Sequence, residues 1–260
     1  MNIIDFHTHA WPGALAEKAT DFVGNYYHIP MLGKGTIEDL LEKASEADVS
    51  QVVVHSTATS EKQVASINNW ISNAQKEHSE IIGFGAVHFD CEDIGKVVQS
   101  IIDLGLYGIK LHPDFQQIAA DDPRMLPIYE AAQGRLPILI HAGDENSIYS
   151  QPKRIANIIK SFPHLTIIAA HLGGYSRWNE AREFLFGKDI YLDTSSCYWR
   201  LSPSEMKGII LAHGEDKVLF GTDYPVTSQQ EELKRFMKLN LNENQQEKIL
   251  YKNAKTLLGL

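Results

Sequence analysis

The chain has 260 residues, of which 43 % are hydrophobic, enough to bury a large core as one barrel or two small domains. Its net charge is −9 with the acidic residues scattered, and no Lys/Arg-rich run could neutralise a row of phosphates, which argues against nucleic acid as a partner. Cys91 and Cys197 lack the paired spacing of a zinc ribbon or redox motif, and no basic leader or long apolar run opens the sequence. The expectation is a cytoplasmic protein without a membrane partner.

In chain order, short Val/Ile-rich runs alternate with stretches of helical period. Strands are predicted at 2–7, 51–56, 81–89, 107–112, 137–142, 165–171, 190–195 and 218–223. Helices are predicted near 36–47, 61–78, 92–104, 123–133, 152–161, 176–186, 203–213 and 229–239. Eight strand–helix repeats at this length describe an α/β fold of the (β/α)8 TIM-barrel type. A doubly wound open sheet would carry a Gly-rich phosphate turn after its first strand, where this chain has His7-Thr8-His9. The reading is a single domain over 1–260, with a lid loop at 11–35 over the barrel mouth and a C-terminal helix at 242–260.

Seven of the 11 histidines fall at or just beyond strand ends: His7, His9, His55, His88, His112, His141 and His171. The carboxyl ends of barrel strands converge on one face, where active sites are built. Residues i and i+2 of a strand point the same way, so His7 and His9 can close on one ion. His141 ends strand five, His171 ends strand six and Asp223 ends strand eight. Imidazole with carboxylate suits zinc first, with manganese or iron as alternatives.

These residues resemble the amidohydrolase superfamily, whose barrels carry His-x-His on strand one, histidines ending strands five and six, and an aspartate ending strand eight. In finer detail the chain is similar to the amidohydrolase-related family that includes 2-amino-3-carboxymuconate-semialdehyde decarboxylase and many metal-dependent hydrolases. Gly85-Ala86-Val87-His88, Gly108-Ile109-Lys110-Leu111-His112-Pro113, His171-Leu172-Gly173-Gly174 and 253–259 carry that likeness. The resemblance implies that His7, His9, His141 and Asp223 hold one divalent ion, with Asp223 as the base and His171 as acid, base or carbonyl polariser. It implies a hydrolase that opens an amide, lactone or ester-like bond of a small molecule through metal-activated water. The alternative is a lyase of the same family, a decarboxylase or hydratase, and Asp223→Asn is expected to abolish turnover while largely sparing the metal.

Lys110 stands where two-metal relatives carry a carboxylated lysine, but the closer family uses one metal, so one ion per chain is expected over two. Lys110 and His112 are then substrate contacts or supports of the ligands, and His55 and His88 are candidates for the same roles. His28 and Trp11, in the first loop, are expected to meet substrate, while His78, His164 and His213 read as surface residues. Arg200, with Tyr198 and Trp199 beside it, could bind a substrate carboxylate from above or form a surface salt bridge. A small-molecule substrate, carboxylated if the lysine and arginine bind it, is the expected partner, and a homo-oligomer is compatible with the sequence. A metal-dependent deoxyribonuclease would place glutamate where Lys110 stands, and a barrel that merely stores metal would need neither Asp223 nor His171.

Overall fold

A computed structural model describes residues 2–260. Eight parallel strands follow one another in sequence order: β1 (Ile4–His9), β2 (Gln51–His55), β3 (Ile81–Ala86), β4 (Gly108–Leu111), β5 (Ile138–Ile140), β6 (Ile167–Ala169), β7 (Tyr191–Asp193) and β8 (Val218–Leu219). Backbone hydrogen bonds from Phe6 N to Phe220 O (2.8 Å), Asp223 N to His7 O (2.8 Å) and His9 N to Tyr224 O (2.7 Å) bring the last strand back to the first. The architecture is the expected (β/α)8 barrel, with a helix after every strand. Among the described residues, no helix is long and apolar enough to cross a membrane.

Local chemistry sets the helix starts. Thr36 accepts from Asp39 N ahead of α2 (Ile37–Glu46), and Ser202 with Glu205 forms a full capping box before Pro203–His213. Apolar side chains sort into two layers. Ile4, Phe6, Val53, Ile82, Phe84, Leu139, Ile168 and Leu219 fill the barrel, while Val52, Val54, Ile109, Ile140 and Leu192 join the larger layer beneath the helices.

Strand β1 contains the feature that positions the site. Asp5 pairs with Val52 and Thr8 with Val54, so three steps on β1 oppose two on β2, which is a β-bulge. Below it Phe6 points into the barrel and meets Phe84 edge-on at 5.6 Å. Above it His7 and His9 also reach the interior. Asp5, which simple alternation would put beside them, instead accepts from Thr222 N (3.0 Å), Thr222 Oγ1 (2.6 Å) and Gln229 Nε2 (3.0 Å).

Three expectations need correction. Much of segment 11–35 is a helix, α1 (Gly13–Tyr27), and its apolar face lines the cavity at the barrel mouth. The tail is Glu243–Glu247 and Asn253–Leu258 joined by a π-helical turn at Lys248–Lys252. His213 lies inside, its Nε2 3.0 Å from Ile190 O, whereas His164 is exposed as read.

Burial disfavours the charges of the acids Asp5, Asp114 and Glu232. Burial raises Asp5 to about 7, and it raises Glu232 to about 8 despite a 2.7 Å contact from Arg235 Nη1. An acid whose folded pKa is raised stabilises fully only below its unfolded value, here 4.5 for Glu232, and that stability is lost as pH climbs toward 8. Glu232→Gln is therefore expected to gain on the order of 2 kcal/mol at pH 8 and almost nothing at pH 4.5. Melting curves across that range check it, and equal shifts at both ends would refute the assignment.

Candidate metal-binding active site

Strand ends deliver the polar groups, and the bulge brings the first two together. His7 Nε2 and His9 Nε2 lie 3.3 Å apart, and Asp223 Oδ1 lies 3.4 Å from the first and 3.2 Å from the second. Donors bound at about 2.0–2.2 Å to one divalent ion stand roughly 3.0–3.5 Å from one another, so this triangle fits such an ion. Asp223 reaches it from a left-handed backbone (φ 66°), and Ser196 Oγ donates to its other oxygen at 2.5 Å. Gly221 is required beneath, because a Cβ there would stand 2.8 Å from His7 Cβ.

Asp193, at the end of β7, was not singled out in the sequence. Its Oδ2 lies 2.8 Å from His7 Nδ1, which fixes the ring and turns Nε2 toward the triangle. Its Oδ1 accepts from the backbone N of His171 (3.1 Å) and of Ser195 (3.0 Å). The signal was present, since Asp193 ends its strand much as Asp223 follows the next. Asp193→Ala is expected to weaken divalent-ion binding roughly 10–100-fold, measured by competition with a fluorescent chelator, and unchanged affinity would rule out the orienting role.

His141 lies next to this triangle and faces His171, with Nδ1 3.0 Å from His171 Nε2. Its Nε2 is buried without a hydrogen-bond partner, 3.7 Å from Asp114 Oδ2, whose two oxygens are equally unpartnered. His171 Nδ1 sits 3.0 Å from Ser195 O, and one nitrogen of His171, one of His7 and an oxygen of Asp193 cluster within 4.8 Å. His55 is wholly buried, both of its ring nitrogens lack partners, and one lies within 4.8 Å of His7 and His9 nitrogens. It is a further candidate donor beneath the site.

Lys110 is buried, with Nζ 3.2 Å from His7 Nε2. Burial lowers its pKa to about 8 against the attraction of Asp223 and Asp193. Burial, then the charge of Lys110, lowers His7 to about 4, which leaves the imidazole neutral and able to donate a lone pair at pH 7. Burial pushes Asp223 upward, but His7, His9 and His171 together outweigh it and hold the carboxyl well below its usual range.

The remaining candidates divide. Trp11 stacks on His9 (6.0 Å between ring centres) and lines the cavity. His112 lines it too, stacked between Phe115 and His141 with Nε2 3.2 Å from Tyr27 Oη. His28 does not, because it is the exposed left-handed C-cap of α1. His88 turns away from the mouth toward Asp90 and Glu61. Arg200 is held at the surface by Glu145, so its salt-bridge reading applies, and Tyr198 and Trp199 pack under Arg235 instead of walling the cavity.

The cavity above the cluster measures about 550 Å³. A (β/α)8 barrel with a histidine–aspartate cluster at the carboxyl ends of its strands has its candidate site where barrel enzymes carry theirs, with donors that could hold a metal ion. An amidohydrolase family model matches residues 4–260. The chain belongs to the amidohydrolase family. Solved structures of the same shape include an uncharacterised TIM-barrel protein from Bordetella bronchiseptica, with TM-score 0.78 and 22 % identity over 100 % of this chain and 99 % of that one. A 5-carboxyvanillate decarboxylase from Sphingomonas paucimobilis has TM-score 0.78 and 14 % identity, over 100 % and 99 %. A dihydroxybenzoic acid decarboxylase from a Polaromonas species, solved with manganese and the inhibitor 2-nitroresorcinol, has TM-score 0.76 and 16 % identity, over 100 % and 98 %.

Proposed function

We propose that this chain is a metal-dependent lyase that releases carbon dioxide from a small aromatic or unsaturated carboxylic acid. The observation that carries this reading is a buried cation, Lys110, beside the His7–His9–Asp223 triangle at the base of a cavity with largely apolar walls. No arginine lines that cavity among the described residues, so Lys110 is the group at its floor that attracts a carboxylate.

Decarboxylation breaks the bond from carbon to the carboxylate. The electron pair stays on carbon and takes up a proton, and a charged group becomes neutral carbon dioxide. Apolar walls favour that loss of charge. A divalent ion held by His7, His9 and Asp223 would supply a Lewis acid for negative charge developing on a substrate oxygen. His171 could deliver the proton as its imidazolium, with Nδ1–H donating to the Ser195 carbonyl and the transferred proton carried on Nε2, which lies 3.0 Å from His141 Nδ1. Asp223, kept ionised, balances the charge of Lys110.

Lyase chemistry moves ahead of the hydrolytic expectation for one further reason. Barrels of matching shape include decarboxylases of carboxylated aromatic acids, several of them solved with manganese. Manganese-loaded protein should release carbon dioxide from at least one member of a panel of hydroxylated benzoates. Hydrolysis of an ester or lactone panel without carbon dioxide from any acid would restore the hydrolase reading.

A further inference from the structure

The cavity is larger than a single carboxylated ring requires. From the cluster, the lining runs outward between α1 and α3 (Glu61–Glu77), over Leu15, Ala19, Phe22 and Val23 on one wall and Ile67 and Trp70 on the other. Its volume of about 550 Å³ falls within the span that holds drug-sized ligands.

Several polar groups along this arm are already engaged. Thr59 donates to Gln63 Oε1 from N (2.7 Å) and Oγ1 (3.1 Å), and Ser66 Oγ donates to the Gln63 carbonyl (2.9 Å). Lys18, the one charged residue on these two walls among the described residues, is exposed and therefore solvated. What the arm offers a ligand is apolar area. Leu15 and Phe22 leave 54 % and 56 % of their surfaces to water, which is surface that a bound chain would cover.

We propose that the natural substrate carries an extended uncharged apolar substituent, an alkyl, prenyl or aryl chain, that lies between α1 and α3 while its carboxylate meets Lys110. The identity of the head group rests on the lyase reading, but the selectivity of the arm is a property of binding. Calorimetric titration of the manganese-loaded protein with 4-alkylbenzoates from methyl to octyl tests it. Affinity should climb roughly fourfold per added methylene until the arm is filled.

Ser66→Phe and Ala19→Trp should each flatten that climb and leave the affinity for unsubstituted benzoate unchanged. Ser66 is exposed, so its replacement keeps the fold even if the bulkier change at Ala19 does not. A series that is flat in the unaltered protein, or a climb that survives in a folded Ser66→Phe protein, overturns the proposal. A climb without carbon dioxide release from any alkyl-substituted dihydroxybenzoate supports the arm and removes the lyase reading. Release from short acids with a flat series does the reverse.

Discussion

Asp223→Asn is expected to cut turnover roughly 10²–10⁴-fold at saturating manganese while the protein stays folded. The fold survives because asparagine is among the residues that tolerate the left-handed backbone Asp223 adopts (φ 66°), and because its shape is nearly that of aspartate. The hydrogen bond from Ser196 Oγ also keeps an acceptor. What disappears is the negative charge among His7, His9, His171 and Lys110, in a largely buried site where water screens it less than at the surface. The sequence alone suggested that metal content would be largely spared. Because Asp223 Oδ1 stands 3.4 and 3.2 Å from the two histidine nitrogens, the structure adds a second effect, weaker metal binding. Rates measured at several manganese concentrations separate the two. A variant as fast as the parent at every concentration would remove Asp223 from the reaction, and one rescued completely by excess manganese would confine it to holding the ion.

How far the sequence reveals such a site depends on what each residue needs in order to be placed. Strand-end histidines were legible, because eight Val/Ile-rich runs fix where strands stop and barrel topology sends those ends to one rim. The bulge in β1 was not. One extra residue changes which side chains face inward, and nothing in Asp5-Phe6-His7-Thr8-His9 marks it apart from an ordinary alternating strand. His7 and His9 were assigned inward by a rule that would also have sent Asp5 there, and Asp5 lies outside. His28 failed for a related reason. Its segment reads as a loop because of its glycines and aromatics, yet 15 residues of it coil into α1, which carries His28 to an exposed cap. Asp193 and Asp114 escaped notice because their partners, His7 and His141, are separated from them by 186 and 27 positions or are met only through space.

Removing the divalent ion should have the broadest consequence, abolishing turnover and lowering thermal stability together. His7, His9 and Asp223 are held with their donor atoms 3.2–3.4 Å apart before any ion is considered, so folding has already brought three lone-pair donors into a confined, largely buried cluster. Lys110 adds a fourth polar group 3.2 Å from His7 Nε2, and burial lowers its pKa to about 8, so part of its charge is already discouraged. An ion that binds only the folded chain adds RT ln(1 + [L]/Kd), about 2.7 kcal/mol at 100 times Kd. For a chain of this size that corresponds to a melting shift of roughly 5–10 °C. Dialysis against a chelator followed by titration with manganese should restore both properties along one curve that saturates near a single ion per chain. Saturation near two ions would instead make Lys110 a carboxylated bridge, visible as an added carbon dioxide in the intact mass. Activity that persists in the chelated protein would mean that the triangle serves no ion in the reaction, and the chemistry would then have to rest on His171 and Lys110 alone.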